Sequence, residues 1–338
     1  MALFIFLLLS TFPDSIFSTA TNIAITSPTQ SITLTSFEKL PLPSTATSPE
    51  SLAFNLLGEG PYTGVSDGRI LKYIRLTKSF VDFAYTSPNR TRAFCDGTTS
   101  LDKSPTCGLP LGLDFDYFTG QLYCCDPFVG LTRVGAFGGL ATTLVPTKDG
   151  VPYRFLIAVT KTSDGPVYFT DASAVYGPKD ADKSIQTGDS TARLLKYDPR
   201  TKNVTVLLSQ LAGAVGLATD SDASFLLVSE FIAKRILRYW LKGEKAGTSE
   251  IFLTFPGGPN KIKRNQEGNY WVAVNAPKND STVAPQGVKF SPSGEILAMV
   301  DLSKEYNSRI TIVIEYNNKI YVGGRNFPFV GQYDIKYV

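Results

Sequence analysis

The chain has 338 residues, a net charge of +3, 43% hydrophobic and 19% charged residues, and no histidine. Without histidine there is no Ser–His–Asp or Cys–His nucleophile, no imidazole-ligated metal and no imidazole base, so proton transfer falls to Asp, Glu, Tyr, Lys, Cys or water. The charge is small and dispersed and gives no nucleic-acid footprint; the densest basic run, Lys261-Ile262-Lys263-Arg264, reads as a solvated strand or turn face.

Ala2–Leu9 is an apolar run too short to span a bilayer, and Ser18 and Ala20 are small residues at the positions a signal peptidase reads. Residues 1–20 are therefore predicted to be a signal peptide cut after Ala20. No later stretch is long and apolar enough for a membrane span. A Ser/Thr/Pro-rich lead completes residues 21–51 and reads as an extended segment over the surface. From 52 to 338, short β-rich runs alternate with Gly, Asp and Asn turns, and no long stretch carries helical periodicity, so one mostly-β domain is expected.

Cys95 and Cys107 flank the polar loop DGTTSLDKSPT. A bridge there would staple it and contribute about 3 kcal/mol through the unfolded chain. Sequons at Asn89, Asn203 and Asn279 fall in turn-like contexts. Together with the leader they predict a secretory route. Cys124 and Cys125 are adjacent in a strand pattern, where a mutual bond would be strained. They read as small buried apolar residues, with a redox pair as the alternative.

Six runs align along the chain: YTGVSDGRILKY, QLYCCDPFVGLTRV, PVYFTDASAVY, FLLVSEFIAKRILRYW, NYWVAVNAP and KIYVGGRNFPFVGQYD. Each apolar core ends at a polar or Gly position: Asp67, Asp126, Asp171, Glu230, Asn275 and Gly324, 45 to 59 residues apart. Such a unit cannot bury its own faces, but six stacked in a ring can. The fold class is all-β, a six-bladed β-propeller with about four strands per blade. The polar positions would lie at equivalent points near one channel mouth. They either ring a metal or polar ligand or, as is favoured, hold blade turns through backbone hydrogen bonds. The Gly-rich GAFGGL (135–140) is followed by no helix and is not a phosphate loop.

The stretches GEGPYTGVSDGRILKY (58–73), CGLPLGLDFD (107–116), GLTRVGAFGGLAT (130–142), VYFTDASAVYG (167–177) and RLLKYDPRTKNVTVLL (193–208) resemble the strictosidine synthase family of plants. The match runs in order over nearly the whole chain past residue 50. The resemblance implies a six-bladed propeller of the secretory pathway, in the vacuole or outside the cell. It also implies a disulfide between Cys95 and Cys107, and a Pictet–Spengler condensation of an aryl-ethylamine such as tryptamine with an aldehyde such as secologanin. That reaction needs a carboxylate to deprotonate the ammonium and later the ring carbon. In the family this is a Glu of the last blade. Matching IEYNNKIYVGG to the family's final strand pair puts Thr311 at that Glu and Glu315 on a different family acid. The two positions share a strand face but lie ~13 Å apart. A Thr hydroxyl is too weak an acid and base, and the family's nearby histidine is also missing, so the activity is expected to be lost or altered.

Two alternatives are carried. Calcium-dependent lactonases share the blade architecture; Glu59 and Asn260 match two of their ligands, but Ile157 and Ala214 stand where two others belong, so no metal and no cofactor is expected. A non-catalytic propeller would bind an amine or aldehyde metabolite between aromatic walls, for which Tyr168, Tyr176 and Phe231 are candidates. A monomer is expected, with a small amine or aldehyde as partner.

Overall fold

The computed structural model describes residues 28–43, 45–147, 153–278 and 282–337. The predicted leader, its cut after Ala20 and the sequon at Asn279 lie outside the described residues.

The strands form six blades of antiparallel strands, with one short parallel strand added at the edge of the first. Two short strands, β1 (Ile32–Leu34) and β2 (Glu38–Pro41), come first in the chain. Blade 1 holds β3 (Leu52–Ala53), β4 (Tyr62–Gly64), β5 (Arg69–Ile74) and β6 (Ser79–Tyr85). Two short helices follow, α1 (Arg92–Cys95) and α2 (Ser104–Cys107). Blade 2 holds β7 (Gly112–Phe115), β8 (Leu122–Asp126), β9 (Gly130–Val134) and β11 (Thr142–Pro146); before β11, β10 (Gly139–Leu140) crosses to pair with β6. Blade 3 holds β12 (Leu156–Lys161), β13 (Val167–Asp171), β14 (Ala192–Tyr197) and β15 (Val204–Leu211), with helix α3 (Ala181–Gln186) between β13 and β14. Blade 4 holds β16 (Ala214–Thr219), β17 (Phe225–Glu230), β18 (Arg235–Trp240) and β19 (Ser249–Thr254). Blade 5 holds β20 (Gly258–Arg264), β21 (Tyr270–Pro277), β22 (Val283–Phe290) and β23 (Ile296–Asp301). Blade 6 takes β24 (Ile310–Tyr316), β25 (Lys319–Gly324) and β26 (Phe329–Tyr337) from the end of the chain. Its outer edge comes from the beginning, because β1 and β2 both pair with β26.

That closure amends the sequence reading of residues 21–51. Part of the lead is extended, as expected, but it is built into the last blade rather than laid over the surface. Leu40 fixes it there, buried among Val330 and Leu52. The interior divides into apolar layers between blades, which is why both faces of most strands are apolar. The first strand of each blade lines the channel. These strands approach so closely that a Cβ on Gly112 would lie 2.5 Å from the Ile157 carbonyl oxygen, and one on Gly216 2.3 Å from that of Asn260. Only glycine fits at such distances.

The buried polar ring is structural. Asp126 accepts from the Leu109 backbone N–H at 2.6 Å, Asp171 from Phe155 at 2.8 Å and Glu230 from Ala212 at 2.7 Å. Asn275 takes the Ile310 N–H at 3.0 Å, and Asp67 that of Gly97 at 2.8 Å. Except for Asp67, each pins the entry of a channel-lining strand, so these oxygens are spent on backbone donors. Cys95 and Cys107 form a disulfide, and Cys124 and Cys125 are free and buried. No helix among the described residues is long and apolar enough to cross a membrane, which says nothing of strand-built spans.

Candidate functional site

A cavity of about 560 Å³ opens at the end of the channel where the innermost strands begin. Phe155, Ile157, Val215, Phe231 and Ile232 supply an apolar wall, and Glu50, Asn260, Thr311 and Arg325 supply polar groups. Residues of α3 form part of the rim. Arg309 reaches across the mouth to Asp182 of that helix at 3.1 Å and lies 5.7 Å from the Phe231 ring centre.

Thr311 lines this cavity. A β-bulge at Ile310–Ile312 makes it the extra residue of β24. Its hydroxyl donates to the Glu50 carbonyl oxygen at 2.9 Å. Glu50 is buried just before β3, and its carboxylate accepts from Arg325 Nε at 3.3 Å. That charge holds Arg325 above its usual range. The acid beside Thr311 is therefore a residue of the lead, which the sequence reading treated only as surface covering.

Glu315, the second candidate for a catalytic role, does not line this cavity. The bulge breaks the alternation that would have put it on the same face as Thr311, and it lies toward the far end of β24. There it is buried between blades 5 and 6. Its carboxylate accepts from Asn265 Nδ2 and Trp271 Nε1, each at 2.8 Å, and from the Tyr337 hydroxyl, with Lys289 Nζ at 3.1 Å. Burial pushes its carboxyl up, but the bonds from Tyr337, Trp271 and Asn265 and the Lys289 charge outweigh that and hold it below the ordinary carboxylate range. Every oxygen is engaged, and none faces the cavity.

Of the three aromatic candidates, Phe231 lines the cavity. Tyr168 does not: it is buried in the layer between blades 3 and 4, against Leu217 and Tyr239. Tyr176 does not either; it belongs to the loop before α3, where its backbone N–H is held by Ser173. Strand alternation turns the Tyr168 ring into that layer.

The two residual calcium matches do not meet. Glu59 lies in the β3–β4 loop, at the opposite end of the channel from Asn260, and pairs with Lys72 at 2.9 Å. Among the described residues no group of three or more acidic or cysteine side chains is placed to hold a metal. The cationic groups near Asn260 further oppose a divalent ion.

The basic run is also not a solvated face. Lys263 crosses the channel from blade 5 to blade 2, donating to the Leu113 carbonyl at 2.7 Å and to Asp114 at 3.2 Å. Asp114 in turn takes the Thr160 hydroxyl and the Lys161 N–H, each at 3.0 Å. Lys261 is 3% exposed, and its ammonium has no hydrogen-bond partner. In the sequence, Lys261 and Lys263 share the period-two face of an inner strand of the repeat, the signal that could have placed them in the channel.

A six-bladed ring of four-stranded blades, with a cavity at one channel mouth, defines the class: a six-bladed β-propeller. Solved structures share the fold. They include a luciferin-regenerating enzyme (TM-score 0.61, 15% identity, 88% of this chain and 95% of that one). A gluconolactonase from Xanthomonas campestris has a TM-score of 0.62 at 16% identity, over 89% of each chain. Within that class, the strictosidine synthase family profile matches residues 157–244. Strictosidine synthase-like protein 11 of Arabidopsis thaliana is 40% identical over 299 residues, 88% of this chain and 91% of its own. Strictosidine synthase of Catharanthus roseus is 37% identical over 301 residues, 87% and 85% of the two chains. The chain belongs to the strictosidine synthase family.

Proposed function

We propose that this protein is an amine-binding member of its family that condenses a primary amine with an aldehyde, using Glu50 in place of a last-blade carboxylate. The observation that supports this reading is the buried Glu50 carboxylate, in the same cavity as Thr311 and beside an apolar wall of Phe155 and Phe231. One oxygen of Glu50 is engaged by Arg325, leaving the other to receive an ammonium N–H and then its proton. The aromatic wall suits the body of an arylalkyl amine. Because the acid enters from blade 1 rather than blade 6, the amine is approached from a different side, and turnover of tryptamine with secologanin is expected to be weak. The buried cysteine bridge and the exposed sequons at Asn89 and Asn203 favour a secretory or vacuolar site of action.

The test is a product assay by mass spectrometry. Wild-type protein, Glu50→Gln and Thr311→Glu are incubated with tryptamine and a panel of aldehydes that includes secologanin. Turnover by wild type that Glu50→Gln abolishes supports the assignment. Binding of amine without any product in all three proteins favours the non-catalytic reading. Turnover that Glu50→Gln leaves unchanged removes Glu50 from the mechanism.

A further inference from the structure

Two arginines of the cavity offer more than a plain amine uses. Ile310 pairs with Gly324, so Arg309 and Arg325 extend from β24 and β25 side by side. The strands are close there: a Cβ on Gly324 would lie 2.9 Å from the Arg309 carbonyl oxygen. Both side chains line the cavity. Like charges set opposite each other on paired strands repel, and an anion between them removes that cost. The acids present meet each arginine at one point only. Arg309 gives one Nη to Asp182 at 3.1 Å. Arg325 gives Nε to Glu50 at 3.3 Å, longer than the ~2.8 Å of a well-made charged hydrogen bond. Neither guanidinium donates another hydrogen bond among the described residues. The Arg325 side chain is 40% exposed and that of Arg309 46%, so the remaining N–H groups are reachable from the cavity.

We propose that the amine bound here is a free α-amino acid with a large apolar side chain, its carboxylate clamped by Arg325 and Arg309 and its ammonium held by Glu50. The inference rests on the amine-binding reading and names the class of amine. An α-amino acid carries its two charges on groups one carbon apart. Glu50 and Arg325 present the complementary charges 3.3 Å apart. The free Nη groups of Arg325 form the fork that a carboxylate fills with two parallel hydrogen bonds, and Arg309 closes the clamp from the next strand. The second oxygen of Glu50 receives the ammonium.

Charge balance and shape support the same ligand. Glu50 and Asp182 cancel Arg309 and Arg325, and no other charged residue lines the cavity among the described residues. A zwitterion keeps that balance. A bare amine adds an unmatched positive charge beside two arginines, with the enclosed Lys261 ammonium near enough to Arg325 to add to the repulsion. A bare carboxylic acid leaves Glu50 facing a second anion. With both charges fixed at the blade 6 side, the rest of the ligand lies against Phe155, Ile157 and Phe231, which suits an aromatic or branched aliphatic side chain.

The experiment is isothermal titration calorimetry of the full-length protein at pH 7 with three matched sets. These are L-tryptophan, tryptamine and indole-3-propionate; L-phenylalanine, phenethylamine and 3-phenylpropionate; and L-leucine, isopentylamine and 4-methylpentanoate. In at least one set the amino acid should bind about tenfold or more tighter than either analogue, the worth of one charge-assisted contact. Arg325→Gln should remove the advantage over the amine while the amine's own affinity is kept or raised. Arg309→Gln, at the half-exposed rim, should reduce the advantage with the wild-type thermal midpoint intact, so the loss is not a folding artefact. An amine that matches its amino acid in every set, an advantage that survives both arginine variants, or no binding by any amino acid overturns the proposal. The same proteins are then assayed for product with the panel of aldehydes. Arginine-dependent binding of an amino acid without product supports the ligand class and sinks the condensation. Product from tryptamine, with no preference for an amino acid, sinks the ligand class and leaves the proposed function standing.

Discussion

Glu315→Gln separates a structural carboxylate from a catalytic one. The glutamine keeps the shape and one acceptor for Trp271 or Asn265 but removes the charge facing Lys289. That lysine side chain is 1% exposed, and without Glu315 it keeps only the Tyr337 hydroxyl and Glu267, whose side chain is 61% exposed. Removing one partner of a buried pair costs roughly 3–5 kcal/mol, and the surviving contacts put this case near the lower limit, at about 3 kcal/mol. For a domain of this size, ~2 °C per kcal/mol lowers the thermal midpoint by about 6 °C. Guanidinium unfolding followed by tryptophan fluorescence reads the loss directly, since Trp271 touches the carboxylate; the midpoint should fall with the slope unchanged. Acid adds a second arm. The folded carboxyl lies below its ordinary 4.5, so its contribution is fully present above that pH and is lost as pH falls through the folded value. Wild type and variant should therefore converge in acid. An unchanged midpoint together with lost turnover or ligand binding would refute the reasoning and return Glu315 to the reaction.

Three further outcomes are expected. Lys261→Met should stabilise the protein at pH 7 by about 3 kcal/mol, because a buried ammonium with a pKa near 8 is penalised wherever the unfolded lysine, at 10.5, is charged. Relative to the variant, wild type should gain stability as pH rises from 8 to 10.5, since the unfolded state then binds the extra proton; parallel pH–stability curves would count against this. Reducing the Cys95–Cys107 bond, which closes a separation of 12 residues, should cost about 3 kcal/mol, read as a lower thermal midpoint in dithiothreitol. Removing residues up to Pro41 should leave β26 as an open edge, and size-exclusion chromatography should then show aggregates; a monomeric, fully stable product would mean that the edge strands are dispensable.

The ring was legible because it repeats: an apolar run ending in Asp67, Asp126, Asp171, Glu230 or Asn275 marks five of the six blades, and the same side chains bind backbone in the structure. The site was less legible. Thr311 was found through the resemblance, but the Glu50 carboxylate sits in a Ser/Pro-rich stretch with no strand pattern around it. Its approach to Arg325 spans 275 residues and depends on how the ring closes. Glu315 was misplaced because a bulge, invisible in a two-residue period, lies between it and Thr311. Lys261 and Lys263 looked solvated because a charge run is usually an outer face; in a propeller the innermost strand borders a channel, where charges pair across the axis.

Closing blade 6 with the first strands of the chain has a consequence for the order of events during synthesis. Thr35 meets Asp334, 299 residues further on. At ribosomal speeds of roughly 5–20 residues per second, β1 and β2 wait ~15–60 s as unpaired strands before β26 exists to receive them. Glu50, just after those strands, waits equally long for Arg325. A nascent chain can therefore stack its middle blades early, but it holds no cavity until nearly its last residue has been made. A product that stops short lacks both the seam and the pocket, so complete translation and a competent site coincide.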